Sequence, residues 1–191
     1  MTTAIIPAAG QSARLGQPKQ LVKLEGEALV HRAARRSLEA GCTRVIVVEG
    51  AVPLRAALAD LPVEVLTCAN WQLGPGASLR AGALAAGEVG VLVLLVDQYE
   101  VTVDGLRSLL TAQGEVAAAF YSGGLGVPAR FSRKYSGVLR ELTDGVGAKS
   151  WLRSHAQLVT AVPMGEAQTD LDTPAQLEKA LPSPSRGRGD R

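Results

Sequence analysis

Aromatic side chains make up only 4% of the chain, and cysteines number two in 191 residues. A core so poor in rings must be built from aliphatic and small side chains, which suits close packing of helices on a sheet. Cys42 and Cys68 stand in no CxxC or other metal-ligand spacing, which removes zinc-ribbon, iron–sulfur and disulfide-framework classes. Both are expected as reduced thiols near strand ends. No large charge excess exists either. The formal net charge is +2, and part of it sits in Arg186, Arg188 and Arg191, so nothing argues for a nucleic-acid partner. The apolar run 91–96 is far too short to span a bilayer. Met1-Thr2-Thr3 lacks the basic region of a secretory leader, so a cytoplasmic protein with no membrane partner is expected. His31 and His155 are isolated histidines, and no Ser/His/Asp or Cys/His arrangement can be assembled.

Ala and Gly are frequent, and apolar residues reach 47%. That composition and length suit one domain with one sizeable core. Residues 3–8, 44–48, 63–67, 91–96, 116–121 and 158–162 read as strands. Residues 27–40, 53–60, 78–86, 103–113, 132–142, 147–154 and 174–181 read as helical. In the 27–40 helix, Leu29, Val30, Ala33, Ala34 and Leu38 share one face. Arg32, Arg35, Arg36 and a surface His31 lie on the charged side. Apolar strands without alternation, separated by helices, predict a mostly parallel sheet covered on both faces, an α/β three-layer α/β/α sandwich. Ligands of such sheets bind beyond the carboxyl ends of the strands. The domain is expected to cover residues 1–181. Residues 182–191 (PSPSRGRGDR) offer nothing to bury and are expected to be a disordered tail.

Four segments carry candidate chemistry. The loop 8–19 (AAGQSARLGQPK) follows the first strand directly. Its small residues Ala8, Ala9 and Gly10 let a ligand approach the backbone, and Arg14 and Lys19 add two cations, a combination that suits a triphosphate. Neither GxxxxGK[ST] nor GxGxxG is present, and an ordinary turn with two solvated charges is an equal alternative. Asp97 follows the apolar run 91–96, where a carboxylate can hold Mg²⁺ while phosphates and water fill the other positions. The run Asp170-Leu171-Asp172-Thr173-Pro174 offers a second carboxylate, or simply caps the last helix. In residues 70–82, a glycine-rich loop enters a helix near Ser78, which either caps that helix or meets a base. Trp71 reads as a partly buried anchor.

These segments, taken in order, resemble the MobA-like nucleotidyltransferases. Residues 8–19 are similar to the AAGxSxRxGxxK signature. Asn70, Trp71, Gly74 and residues 78–82 are similar to NxxWxxGxxxSLxxG, residues 91–98 to an apolar strand ending in Asp-Gln, residues 126–131 to GxPxxF, and residues 170–177 to DxDTPxxL. The Ala8-Ala9-Gly10 opening is nearest the molybdenum-cofactor cytidylyltransferases, since the guanylyltransferases usually carry glycine where Ala9 stands. The isoprenoid-pathway cytidylyltransferases share PAAG…PKQ but not the later motif. Three departures fall in the half where the family places its acceptor. Tyr99 stands for a proline and Val127 for a histidine, and residues 143–149 (TDGVGAK) stand for a Gly-Asp-x-Gly-Ala-Arg loop.

The resemblance implies a nucleotide-diphospho-sugar transferase (GT-A-like) fold and transfer of CMP from CTP to molybdopterin, a phosphorylated pterin, with release of pyrophosphate. By the same resemblance, Ala8, Ala9, Gly10, Ser12, Arg14, Lys19, Asn70, Ser78 and Gly82 bind the nucleotide. Arg14, Lys19 and Asp97 serve catalysis, and Asp97 with Asp172 (or Asp170) holds Mg²⁺. No general base is required, because the attacking phosphate is already anionic. The rival readings are a same-fold transferase using GTP or another phosphorylated acceptor, an α/β oxidoreductase, and a non-catalytic nucleotide-binding chaperone for a molybdoenzyme apoprotein.

Overall fold

A computed structural model describes residues 1–181; the expectation for residues 182–191 lies outside the described residues. In chain order the strands are β1 (Thr2–Pro7), β2 (Lys23–Leu24), β3 (Glu27–Ala28), β4 (Arg44–Glu49), β5 (Glu64–Thr67), β6 (Gly90–Val93), β7 (Val116–Tyr121), β8 (Gly124–Phe131) and β9 (Val159–Pro163). The helices are α1 (Leu29–Ala40), α2 (Pro75–Ala86), α3 (Val103–Thr111), α4 (Ala148–Ser154) and α5 (Pro174–Ala180). Seven strands form one sheet in the order β5-β4-β1-β6-β8-β7-β9, and β2 pairs with β3 in a small antiparallel hairpin.

Successive residues of a strand face opposite sides, and the core divides accordingly. Ala4 and Ile6 of β1 join Val45 and Val47 of β4 under Val30, Ala33 and Ala34 of α1 and Leu106 and Leu109 of α3. Ile5 joins Ile46 and Val48 under Leu79 and Ala83 of α2 and Leu152 of α4. Three layers result, as the apolar strands predict. α2 lies very close to the sheet at Gly82, where an added Cβ would sit 2.5 Å from Ile5 Cγ2.

Within the seven-stranded sheet the pairing is parallel except at β8, which runs against both β6 and β7. Strand β8 is not among the strands expected from the apolar pattern, and its residues explain why. Gly124, Gly126 and Pro128 interrupt its apolar pattern, and proline cannot donate to a ladder. The strand tolerates Pro128 through a register shift against β7 between Ala118 and Ala119, whose partners are Ala129 and Gly126. The Val127–Pro128 peptide is cis. On the β6 side, pairing with β8 reaches only Val93, opposite Ala129. The expected strand 91–96 therefore ends at Val93, and Asp97 stands in the turn beyond it.

Other boundaries move for local reasons. Glu27 and Ala28 pair with β2, so α1 begins at Leu29. The helices expected at 53–60 and 132–142 are single 3-10 segments, Arg55–Leu58 and Ser136–Arg140. α2 starts at Pro75, the favoured first position for proline, so Ser78 lies inside the helix and does not cap it. Thr102 caps α3, its side chain accepting from Gly105 N. The charged side of α1 is less solvated than expected. Arg32 is buried on Leu24 O, Arg36 donates to the carbonyls of Tyr99 and Val101, and His31 bridges Glu27 and Asp60. Burial opposes the charged His31 ring, but hydrogen bonds to the two carboxylates outweigh it and hold its pKa above the usual histidine value. Both cysteines are free and buried; burial pushes the Cys42 thiol up to about 12. No helix among the described residues is long and apolar enough to cross a membrane.

Candidate active site

The loop after β1 is held by backbone and neutral side chains. Ala8 N donates to Val48 O at 2.9 Å, and Ala9 O accepts from Ala51 N at 3.0 Å. The buried Gln20 amide donates to both Ala8 O and Gly10 O at 2.7 Å. Ser12, left-handed at φ 57°, accepts from Lys19 N at 3.1 Å through its hydroxyl. The loop is thereby folded back so that Lys19 returns beneath its own beginning. The amides of residues 10–14 have no backbone or side-chain acceptor among the described residues. A row of unpaired N–H groups in one loop is a ready cradle for anionic oxygens.

Lys19 brings the charged groups together. Its Nζ lies 2.5 Å from Asp97 Oδ2 and 2.9 Å from Asp172 Oδ1, and Arg14 Nη2 lies 2.7 Å from Asp172 Oδ2. Residues far apart in sequence therefore converge where the loop, the turn after β6 and the approach to α5 meet. Burial disfavours the Lys19 ammonium, but attraction and hydrogen bonds from Asp97 and then Asp172 outweigh it and raise its pKa. Burial likewise works against the Asp172 carboxylate, yet hydrogen bonding and attraction from Lys19, joined by Arg14, hold its pKa below the ordinary value. Both shifts favour the charged forms of Lys19 and Asp172.

The two aspartates fit a divalent metal. Both are carboxylates, the donors that Mg²⁺ and Mn²⁺ prefer. Asp97 Oδ1 is moreover buried without any hydrogen-bond partner. A buried carboxylate oxygen left unpaired is costly, and a cation shared with substrate phosphates is the kind of partner it lacks.

Beside this centre opens a cavity of about 570 Å³. Ala9, Gly10, Lys19, Asp97, Ser78 and Trp71 line it together with Tyr121, Val127, Ala148, Lys149, Gln168 and Asp170. Gln98 ties the Asp97 turn to β8. Its buried amide donates to Val127 O at 2.7 Å and Ala167 O at 2.8 Å, anchoring the Asp97 turn to the irregular stretch of β8. Tyr121 donates to the same Val127 carbonyl at 3.2 Å. Burial raises the Tyr121 pKa; Arg153 opposes the rise, and Asp170 and Asp97 add to it. The loop before α4 packs on the start of α2. Gly76 N donates to Asp144 O at 3.2 Å, Arg80 pairs with the Asp144 carboxylate, and a Cβ on Gly76 would meet Thr143 O at 2.0 Å.

The structure thus joins Lys19, Asp97 and Asp172, with Ala9, Gly10 and Ser78 on the same cavity. Other expected positions fall elsewhere. Ala8 is buried beneath the loop, and Ser12 braces it. Arg14 is at the rim, its side chain 75% exposed. Asn70 is exposed and off the cavity, and its side chain does not cap the 3-10 turn that follows. Gly82 corrects the reading most clearly: it faces Ile5 and Val48, where its lack of a side chain permits helix-on-sheet contact. The Asp170–Pro174 run divides its residues between two settings. Thr173 forms a capping box with Gln176, while Asp172 faces Lys19. Sequence reasoning missed Gln20 and Gln98; both are buried neutral amides, and nothing in a glutamine's local pattern announces which carbonyls it will reach.

Comparison with known proteins follows the same lines. The MobA-like NTP transferase domain matches residues 4–159. The purine catabolism protein PucB of Bacillus subtilis (strain 168) is 28% identical over 188 residues, 90% of this chain and 91% of PucB. The crystal structure of Rv0371c from Mycobacterium tuberculosis H37Rv superposes with a TM-score of 0.78 at 27% identity, covering 93% of this chain and 96% of that one. A manganese complex of Rv0371c gives 0.76 at 25% identity, covering 96% and 99%. A nucleotidyl transferase from Methanothermobacter thermautotroptrophicus, 22% identical, shares the fold with a TM-score of 0.78 over 94% and 95% of the two chains. The family model spans most of the chain, so the chain belongs to the MobA-like NTP transferase family, and it has the nucleotidyltransferase fold.

Proposed function

We propose that this chain transfers CMP from CTP to molybdopterin in the cytoplasm, releasing pyrophosphate, with Mg²⁺ as its metal and residues 1–181 as one catalytic domain. The observation that supports it most is the meeting of Lys19, Asp97 and Asp172 beside a loop whose amides are unpaired. In this reading the amides of residues 10–14 receive the triphosphate. Lys19, with Arg14 at the rim, offsets the charge that builds on the departing pyrophosphate. Asp97 and Asp172 would hold the metal, which supplies positive charge to phosphate oxygens. The acceptor phosphate attacks the α-phosphorus in line, so the protein's work is positioning and electrostatic stabilisation. Ala9 bears a methyl group on the cavity wall, and that methyl favours the smaller pyrimidine ring over a purine. The experiment is a screen of the four nucleoside triphosphates against molybdopterin and other phosphorylated acceptors, read by pyrophosphate release with Mg²⁺. CTP with molybdopterin is expected to give the highest rate. Turnover with GTP alone, or only with a different acceptor, would replace this reading.

A further inference from the structure

Beside the two large cores, the fold holds a smaller apolar cluster. Its buried members include Leu15, Leu24 and Leu171, and Tyr99 and Leu177 pack against them. Each segment that carries a charged site residue sends one apolar side chain into it. Leu15 directly follows Arg14, Tyr99 stands two residues after Asp97, and Leu171 directly precedes Asp172. Leu15 is the one buried residue in 10–19, and Leu171 the one buried residue in 168–181. No apolar side chain of residues 168–181 joins either large core, so α5 meets the apolar interior through this cluster. Gln176 of α5 also accepts from Asp172 N at 2.9 Å, which fixes the backbone that bears the carboxylate. Thr169 Oγ1 donates to Glu100 Oε2 at 2.5 Å, a polar tie to the turn that holds Tyr99. Asp97 is anchored differently, through Gln98 on β8.

We propose that this cluster positions the charged centre: Leu15, Tyr99 and Leu171 lock the three segments into one unit and so set the spacing of Asp97 and Asp172 for a divalent ion. The need is electrostatic. Two carboxylates aimed at one place repel each other. Lys19 offsets that repulsion in the structure, but a lysine that also serves the triphosphate cannot act as a fixed strut between them. Apolar packing is non-directional and does not weaken when the charge between the carboxylates changes. Groups behind metal ligands hold the ligands in place, and losing one typically costs about 10–100-fold in metal affinity. Here that work falls to hydrocarbon packing from three segments. The metal part of the inference rests on the transferase reading; the locking of the segments does not.

Two measurements test these parts separately. Hydrogen exchange is followed first, on the chain without metal. Leu171→Ala is expected to speed exchange at the hydrogen-bonded amides of Lys19, Val22 and Val101, which lie on the other two segments and the hairpin between them. Leu139→Ala, which hollows the second large core, is expected to leave those amides at wild-type rates. Acceleration confined to residues 168–181, or equal acceleration in Leu139→Ala, overturns the locking. Mn²⁺ is then titrated into the chain, with the free ion read by paramagnetic resonance. Leu171→Ala is expected to weaken binding roughly tenfold. Leu171→Met and Tyr99→Phe are expected to keep it within about twofold, since both conserve the packed volume, and Leu139→Ala to leave it unchanged. Should Leu171→Ala fail to fold, Tyr99→Ala carries the same expectations, with the Leu177 amide as its remote probe. Wild-type Mn²⁺ affinity in the alanine variant overturns the spacing role. Failure of wild type to bind Mn²⁺ overturns the metal reading and the spacing role with it, while the locking stands or falls on exchange alone.

Discussion

Two stretches of the cavity wall are built on different principles. The stretch around Lys19 is an electrostatic arrangement in which Lys19 pairs with Asp97 and Asp172 and the loop is stitched by Gln20 and Ser12. The stretch around β8 and the loop before α4 is held by packing and backbone contacts, through the Gly76 clamp, the irregular β8 and the Gln98 amide. The contrast teaches which half can change. Removing one partner from a partly buried ion network leaves the others uncompensated, so the first stretch tolerates little. Replacing a residue on the packed stretch alters shape and stability by smaller steps.

The contrast breaks most sharply at Asp97. Asp97→Asn removes the charge that faces Lys19, and under the proposed function transfer is expected to fall at least about 10²-fold, by analogy with losing one transition-state donor. Steady-state turnover at saturating Mg²⁺ checks it, and a near-wild-type rate would remove Asp97 from the metal site. Lys19→Ala is next. It is expected to weaken nucleotide binding and lower kcat together, each by at least about tenfold, while Lys23→Ala, exposed in β2, changes both less than twofold. Equal effects from the two lysines would mean that the network around Lys19 is ornamental.

The packed stretch is probed through Gly76. Gly76→Ala drives a methyl group into the Thr143 carbonyl and is expected to cost about 1–3 kcal/mol of stability as an overpacking change. Gly145→Ala, with nothing within 4 Å of its added Cβ, is expected to stay within about 0.5 kcal/mol of wild type. Denaturant midpoints decide between them, and similar midpoints would show that the clamp carries no weight. The smallest effect is expected at Ala9. CTP should be preferred over GTP by at least roughly tenfold, about 1.4 kcal/mol, and Ala9→Gly should narrow the gap without reversing it. Competitive binding of the two nucleotides to both proteins measures this; a gap indifferent to the substitution would move base selection to Ser78 and its neighbours.

The same contrast governs what could be read from the chain beforehand. The central strands β1, β4 and β6 show in the sequence because uninterrupted apolar runs have few other homes, and Lys19 and Asp97 show because they stand next to such strands. β8 does not show, since its glycines and Pro128 imitate a loop and its pairing depends on a register shift that only its neighbours define. Asp172 could be read two ways until the fold separated it from the capping Thr173. Gly82 misled for the opposite reason: a glycine two turns into a helix beside a glycine-rich loop looks like part of that loop, whereas its role is set by Ile5 on another element. Signals carried by adjacent residues were legible, and signals carried by tertiary partners were not.

The Gln20 brace has a consequence for how the protein responds to ionic strength. The amide that holds the start of the first loop at Ala8 and Gly10 is uncharged and its residue 1% exposed, whereas Arg14 lies at an exposed rim. Added salt screens exposed charges over about 8 Å at physiological strength and barely touches a buried neutral hydrogen bond. The shape of the anion cradle should therefore persist in concentrated salt while long-range attraction for the triphosphate fades. In kinetic terms, the penalty should fall on the rate of nucleotide arrival, and the rate of departure should hardly move.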